Sequence, residues 1–136
     1  MIPRTWRYIT PYVCAIFSIV LGVTIAIGWL LHSLALTQLG SSFAPMHFNT
    51  AMCFIVSGIA FLLLLSNQQF ISRLFSTYLT CFALVTLCQY VFHFHLGIDE
   101  LMIKDYINVH SLYPGRMAPS TALSFTLMGF SFLILS

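Results

Sequence analysis

Charge is what this sequence has least of. Asp, Glu, Lys and Arg make up 6% of its 136 residues, and none of them occurs from residue 8 to 72, from 74 to 98 or from 117 to 136. With 60% hydrophobic residues and a mean hydropathy of +0.96, a soluble domain is excluded. A chain of this size cannot hide that much apolar surface from water, and the composition is that of an integral membrane protein. A net charge of +2 gives no sign of a nucleic-acid partner. The four cysteines (Cys14, Cys53, Cys81, Cys88) all fall in apolar segments. They supply neither a disulfide framework nor the Cys-x-x-Cys-His of covalent haem attachment. No phosphate-binding loop, nucleophile motif or acid–base pair is present, so residues 1–136 alone do not read as an enzyme.

What is present is a set of apolar spans. Four transmembrane helices are expected at about 12–36, 49–66, 74–96 and 119–136, forming one all-α membrane domain over residues 1–136. Residues 1–10 make a short basic start with Trp6 and Tyr8 suited to the headgroup level. The run after them is too long for a signal-peptide core and stays as the first helix. Asn49-Thr50 can cap the second helix, and Pro119 sits in the first turn of the fourth, where its missing N–H costs little. The inner segments hold Arg4, Arg7 and Arg73, a charge of +3. The outer loops hold Lys104 and Arg116 against Asp99, Glu100 and Asp105, a charge of −1. That asymmetry places both termini in the cytoplasm and the chain in an inner membrane. The sequence stops at Leu135-Ser136 without basic stop-transfer residues, which points to a cytoplasmic portion beyond residue 136.

The histidines stand at the outer ends. Thr86-Leu87-Cys88-Gln89-Tyr90-Val91-Phe92-His93-Phe94-His95 closes an otherwise apolar helix, and polar groups at membrane depth are functional candidates. Wound at about 100° per residue, Leu79, Phe82, Thr86, Gln89 and His93 share one face, with His95 turned away. On the first helix, Cys14, Ser18, Leu21, Ile25, Gly28 and His32 share a face flanked by Gly22. Neutral imidazoles facing each other are the axial ligands of a b-type haem. His32 and His93 are therefore the expected pair. Ser18, Gly22 and Gly28 would open the slot, and Thr86 and Gln89 would bond a propionate or an imidazole. His95 either faces headgroups or serves a second haem with His47 or His110. A zinc or copper site of outer histidines with Asp99, Glu100 or Asp105 is the rival metal reading. Arg116 can instead pair with Asp99, and Met46 and Met117 read as packing.

The sequence also repeats. Met46-His47-Phe48-Asn49-Thr50-Ala51-Met52-Cys53-Phe54 parallels Met117-Ala118-Pro119-Ser120-Thr121-Ala122-Leu123-Ser124-Phe125 at an offset of 71, and Gly28-Trp29-Leu30-Leu31-His32 parallels Gln89-Tyr90-Val91-Phe92-His93 at an offset of 61. Two hairpins of like orientation imply a pseudo-twofold axis along the membrane normal. In the four-helix bundle this gives, the first and third helices lie diagonally opposed.

The stretch His95-Leu96-Gly97-Ile98-Asp99-Glu100-Leu101, followed by Pro114-Gly115-Arg116-Met117-Ala118-Pro119-Ser120-Thr121-Ala122-Leu123-Ser124-Phe125, resembles the N-terminal membrane region of bacterial sensor histidine kinases and diguanylate cyclases. The resemblance covers nearly the whole chain. It implies a membrane sensor or anchor, working as a homodimer, whose linked cytoplasmic output domain lies past residue 136. His93 and His95 depart from the usual pattern, where Gly and Asp are expected, which suggests a histidine-rich, cytochrome-like subset. The expected function is thus a haem-bearing redox or oxidant sensor. The alternatives are an electron-transferring cytochrome that reduces quinone and a cofactor-free sensor of a lipophilic ligand.

Overall fold

The computed structural model describes residues 4–38, 44–100, 103–106 and 113–136. Among these residues all regular structure is helical: α1 (Arg4–Leu30), α2 (Leu34–Thr37), α3 (Phe48–Leu65), α4 (Gln69–Val91) and α5 (Pro119–Leu135), with a 3-10 turn at Ile98–Glu100 before α5. Residues Tyr8–Leu30 of α1, all of α3 and all of α4 are long and apolar enough to cross a membrane. At 17 residues, α5 is one residue shorter than α3.

Two expected helices end early. The first, expected to reach about Leu36, stops at Leu30, and a separate turn of helix, α2, comes after it. The third, expected over 74–96, runs Gln69–Val91, so neither His93 nor His95 is helical. The cause is the same at both sites. His32 and His93 adopt left-handed backbone, with φ of 53° and 52°, a region that histidine enters more readily than most side chains. At the end of α1 the Ser33 N–H donates to the Gly28 carbonyl at 2.9 Å and the His32 N–H to the Trp29 carbonyl at 3.3 Å. Those two bonds satisfy carbonyls that the helix end leaves over. Asn67, φ 58°, closes α3 in the same way, with the Gln68 N–H on the Leu63 carbonyl at 2.9 Å.

In lipid there is no hydrophobic drive between helices, so they associate through close packing and hydrogen bonds. The small residues show where. α3 is the hub: it packs against α1, α4 and α5, while α5 packs chiefly on α4. A Cβ on Gly58 would lie 2.7 Å from the Ala15 carbonyl oxygen of α1, and one on Gly22 would lie 2.6 Å from that of Ala51. Between α4 and α5, a Cβ on Gly129 would collide with the Thr80 hydroxyl and approach the Ser76 carbonyl at 3.3 Å. Ser18 on α1 donates to the Phe54 carbonyl at 2.9 Å, and Ser72 on α4 donates to the Ala60 carbonyl at 2.9 Å. Across α3 and α5, the Phe54 and Phe125 rings meet edge-on at 5.2 Å, and Phe61 and Phe132 stack at 5.3 Å. The faces turned outward, such as Ile16, Phe17 and Val20 on α1, Leu74 on α4 and Ile134 on α5, are exposed and apolar, as lipid contact requires. This packing holds the ends of α1 and α4 and the starts of α3 and α5 at one end of the molecule, together with Asp99, Glu100, Asp105 and Arg116.

Candidate functional site

The last turn of α4 directs Gln89 inward, fully buried. Past Val91 the chain leaves the helix, turns at Gly97 (φ 69°), and the 3-10 turn brings Asp99 back over the helix ends. The returning segment reaches α5 through Pro114-Gly115-Arg116. Gly115 is required there: its φ is 73°, and a Cβ would lie 2.7 Å from the Asp99 carbonyl oxygen.

Arg116, 3% exposed, is the centre of the site. Its Nε donates to Asp99 Oδ2 at 2.9 Å, and its Nη2 donates to Gln89 Oε1 at 2.6 Å. Nη2 also lies 3.2 Å from His95 Nδ1. A guanidinium only donates, so in this contact the His95 nitrogen is the acceptor. The Tyr113 ring lies 4.5 Å from the guanidinium carbon and the Tyr90 ring 5.2 Å, a cation–π embrace. Of its three nitrogens, only Nη1 has no hydrogen-bond partner among the described residues.

A second group of bonds ties this cation to the rest of the molecule. Asn49, in the first turn of α3, donates its amide to the Asp99 carbonyl at 2.7 Å and to that of Gly115 at 3.4 Å. Asp105 Oδ2 accepts the Gly115 N–H at 2.9 Å and stands 3.4 Å from His47 Nδ1. That last pair is within ion-pair distance but lacks hydrogen-bond alignment. Burial lowers the His47 pKa below its ordinary value of 6.5, against the opposing pull of Asp105 and, more weakly, Asp99. Burial thus favours the neutral form of His47. The Trp29 indole donates to the Met46 carbonyl at 2.7 Å, and the Tyr90 hydroxyl donates to the Met117 carbonyl at 3.0 Å.

The residues expected to form a haem slot are not brought together as one. His32 is exposed, and its ring lies tilted against that of Tyr106 with centroids 4.4 Å apart. His93 is exposed in its left-handed turn. The positions expected to open the slot are filled by packing: Gly22 by Ala51 and Ile55, Gly28 by Leu36 and Thr37, and Ser18 by its bonds to α3. Thr86 donates to the Phe82 carbonyl of its own helix at 3.1 Å, and Gln89 holds Arg116. At Ser18, Gly22 and Gly28 these contacts take the space that a porphyrin would need. His95 belongs to the Arg116 cluster and His47 to Asp105, while His110 lies outside the described residues. Among the described residues no three His, Cys, Asp or Glu side chains are placed to share a metal. The expected Asp99–Arg116 pair is present. The role of Asn49 as donor to the loop and the pairing of Asp105 with His47 carry no local sequence signal, because the partners are 50 or more residues apart.

No family is matched. Comparison with protein-family models, with curated proteins and with solved structures finds nothing similar to this chain.

Proposed function

We infer that this chain is the membrane-embedded input module of a bacterial signalling protein, with a polar receptor head outside the inner membrane and both termini inside. The observation that carries the reading is the buried Arg116, bonded to α4 through Gln89, to the outer loop through Asp99 and His95, and through that loop to Asn49 of α3. A buried cation held from several elements couples the head to the helices beneath it. The residues that resemble sensor kinases and cyclases are those of the head. Asp99 pairs with Arg116, Gly115 makes the tight turn, Met117 is buried under Tyr90, and Pro119 opens α5. An output domain linked after residue 136, and a homodimer, follow from that resemblance.

Two equivalent hairpins suit this role, since a signal at the head can then shift one hairpin against the other. Paired observations support the equivalence. Helix ends Leu30 and Val91 are 61 apart, and helix starts Phe48 and Pro119 are 71 apart. Trp29 bonds Met46 as Tyr90 bonds Met117, and Gly58 approaches Ala15 and Ile19 as Gly129 approaches Ser76 and Thr80. Phe54 touches Phe125 and Phe61 touches Phe132, as rings beside a twofold axis would. On this reading α5 is a fourth span, the counterpart of α3; at 1.5 Å per residue it is about 26 Å long, close to the hydrocarbon thickness. Haem b, and with it electron transfer to quinone, has less support because the slot positions are packed.

The test is a fusion of residues 1–136 to a diguanylate cyclase catalytic domain. Arg116→Gln, at equal membrane abundance, should change cyclase output at least threefold. Unchanged output would reduce the chain to an anchor.

A further inference from the structure

Between the starts of α3 and α5 lies a groove of about 310 Å³ whose lining includes Pro45, His47, Thr50, Arg116, Ala118 and Thr121. These six residues form three pairs at the offset of 71: Pro45 with Arg116, His47 with Ala118, and Thr50 with Thr121. The groove therefore sits where the two halves meet. Its symmetric members are the threonine hydroxyls, and its asymmetry is one guanidinium and one imidazole.

We propose that this groove binds a phosphate group, held between the starts of α3 and α5 and the Arg116 guanidinium. Two helices of 18 and 17 residues begin here, and neither start carries a side-chain cap. First-turn N–H groups have no partner within a helix, and the macrodipole adds positive potential at that end. Anions bind at such ends. The independent observation is Arg116 itself. It lines the groove, and its side chain is 1% exposed. Its Nε and Nη2 are engaged, and its Nη1 is buried without an acceptor among the described residues. An unmet guanidinium nitrogen in a buried site needs an acceptor.

Three carboxylates stand near the groove, and each has a partner of its own. Asp99 faces Arg116 Nε, Asp105 faces the Gly115 N–H and His47, and Glu100 accepts the Asp105 N–H. The candidate donors belong to α3, to α5 and to the loop. A tetrahedral oxyanion presents acceptors in those several directions, whereas a planar carboxylate presents them in one plane. The volume is at the small end of ligand sites, which suits a phosphate with little attached inside the groove. The phosphate can come from a lipid headgroup or from free inorganic phosphate. This deepens the receptor reading by giving the head a ligand class, and it rests on that reading for its meaning alone.

The measurement is thermal unfolding of residues 1–136 in dodecyl maltoside and phosphate-free buffer, with inorganic phosphate or phosphatidic acid added at constant ionic strength. A saturable rise in Tm is expected with one or both, and succinate should give none. Arg116→Lys keeps the charge but loses the fork, and should weaken the response at least tenfold. Should that variant fail to fold, Thr121→Asp decides. It puts a carboxylate into the groove at a first-turn position that favours acids, so the fold persists while the response falls at least tenfold. A response to phosphatidic acid alone assigns the lipid headgroup as the source, and a response to inorganic phosphate assigns the free ion. No rise with either, an equal rise with succinate, or an undiminished rise in Thr121→Asp would overturn the proposal. Cyclase output does not enter this measurement, so binding can succeed where the receptor reading fails, and the reverse.

Discussion

At the scale of single residues, Arg116 and its partners are tied to one another more closely than to solvent. Removing one member of a buried ion pair leaves the other charge uncompensated, at a cost of about 3–5 kcal/mol. Asp99→Ala should therefore lower unfolding stability in detergent by that order, and Arg116→Ala similarly. A loss below about 1 kcal/mol would mean a solvent-screened pair. Gln89→Leu should be intermediate, since it removes one acceptor from a charged donor.

His47 makes a prediction with a sign. Its folded pKa lies below the unfolded value because burial disfavours the imidazolium. The unfolded chain then binds more protons as pH falls, so the stability this neutral histidine allows is complete above the unfolded pKa of about 6.5. That stability is lost as pH drops through 6.5 toward the folded value. His47→Gln should flatten the pH dependence of Tm between pH 7 and 5. A wild-type Tm that rises on acidification over that interval would contradict the sign.

At the scale of elements, the turns that stop α1 and α4 decide what the paired histidines are for. A left-handed residue other than glycine costs about 1–2 kcal/mol. His32→Gly and His93→Gly should therefore each raise stability by about 1 kcal/mol if the residues serve as helix stops. If they are haem ligands, the same changes should remove a Soret band and lower stability. Purified protein should show no Soret band at all. In the packing of the hairpins, Gly58→Val forces a side chain into the Ala15 carbonyl. It should cost about 1–3 kcal/mol as overpacking, read as a lower Tm.

The elements also show what a sequence discloses. The start of α5 is legible, because Pro119 is a local chemical signal. Asn49-Thr50 marks the start of α3 only in position, since the N-cap is His47 without a side-chain cap and Asn49 bonds to the loop instead of capping the helix. The ends at His32 and His93 are not legible, because no glycine marks them and the apolar run continues past each. That error carries into the site. A face wound through His93 treats Thr86, Gln89 and His93 as one surface, yet the helix stops at Val91 and only Thr86 and Gln89 remain on it. The Asp99–Arg116 pair is legible because opposite charges in one loop have few other partners. Asn49 bonding to Asp99 is not, because Asn at a helix start already has a local explanation.

At the scale of the whole molecule, the described charges of the loops gather at one end with the stops of α1 and α4. The opposite end carries Arg73 and the Asn67 turn. If the first end is the receptor head, it must face away from the cytoplasm. Sided labelling tests this directly. Leu96 and Gln68 are both exposed and lie at opposite ends. With single cysteines placed there in a cysteine-free background, a membrane-impermeant maleimide should label Leu96→Cys in intact cells. It should label Gln68→Cys only after permeabilisation. Labelling of position 68 from outside, with position 96 protected, would put the Arg116 cluster in the cytoplasm and contradict the account.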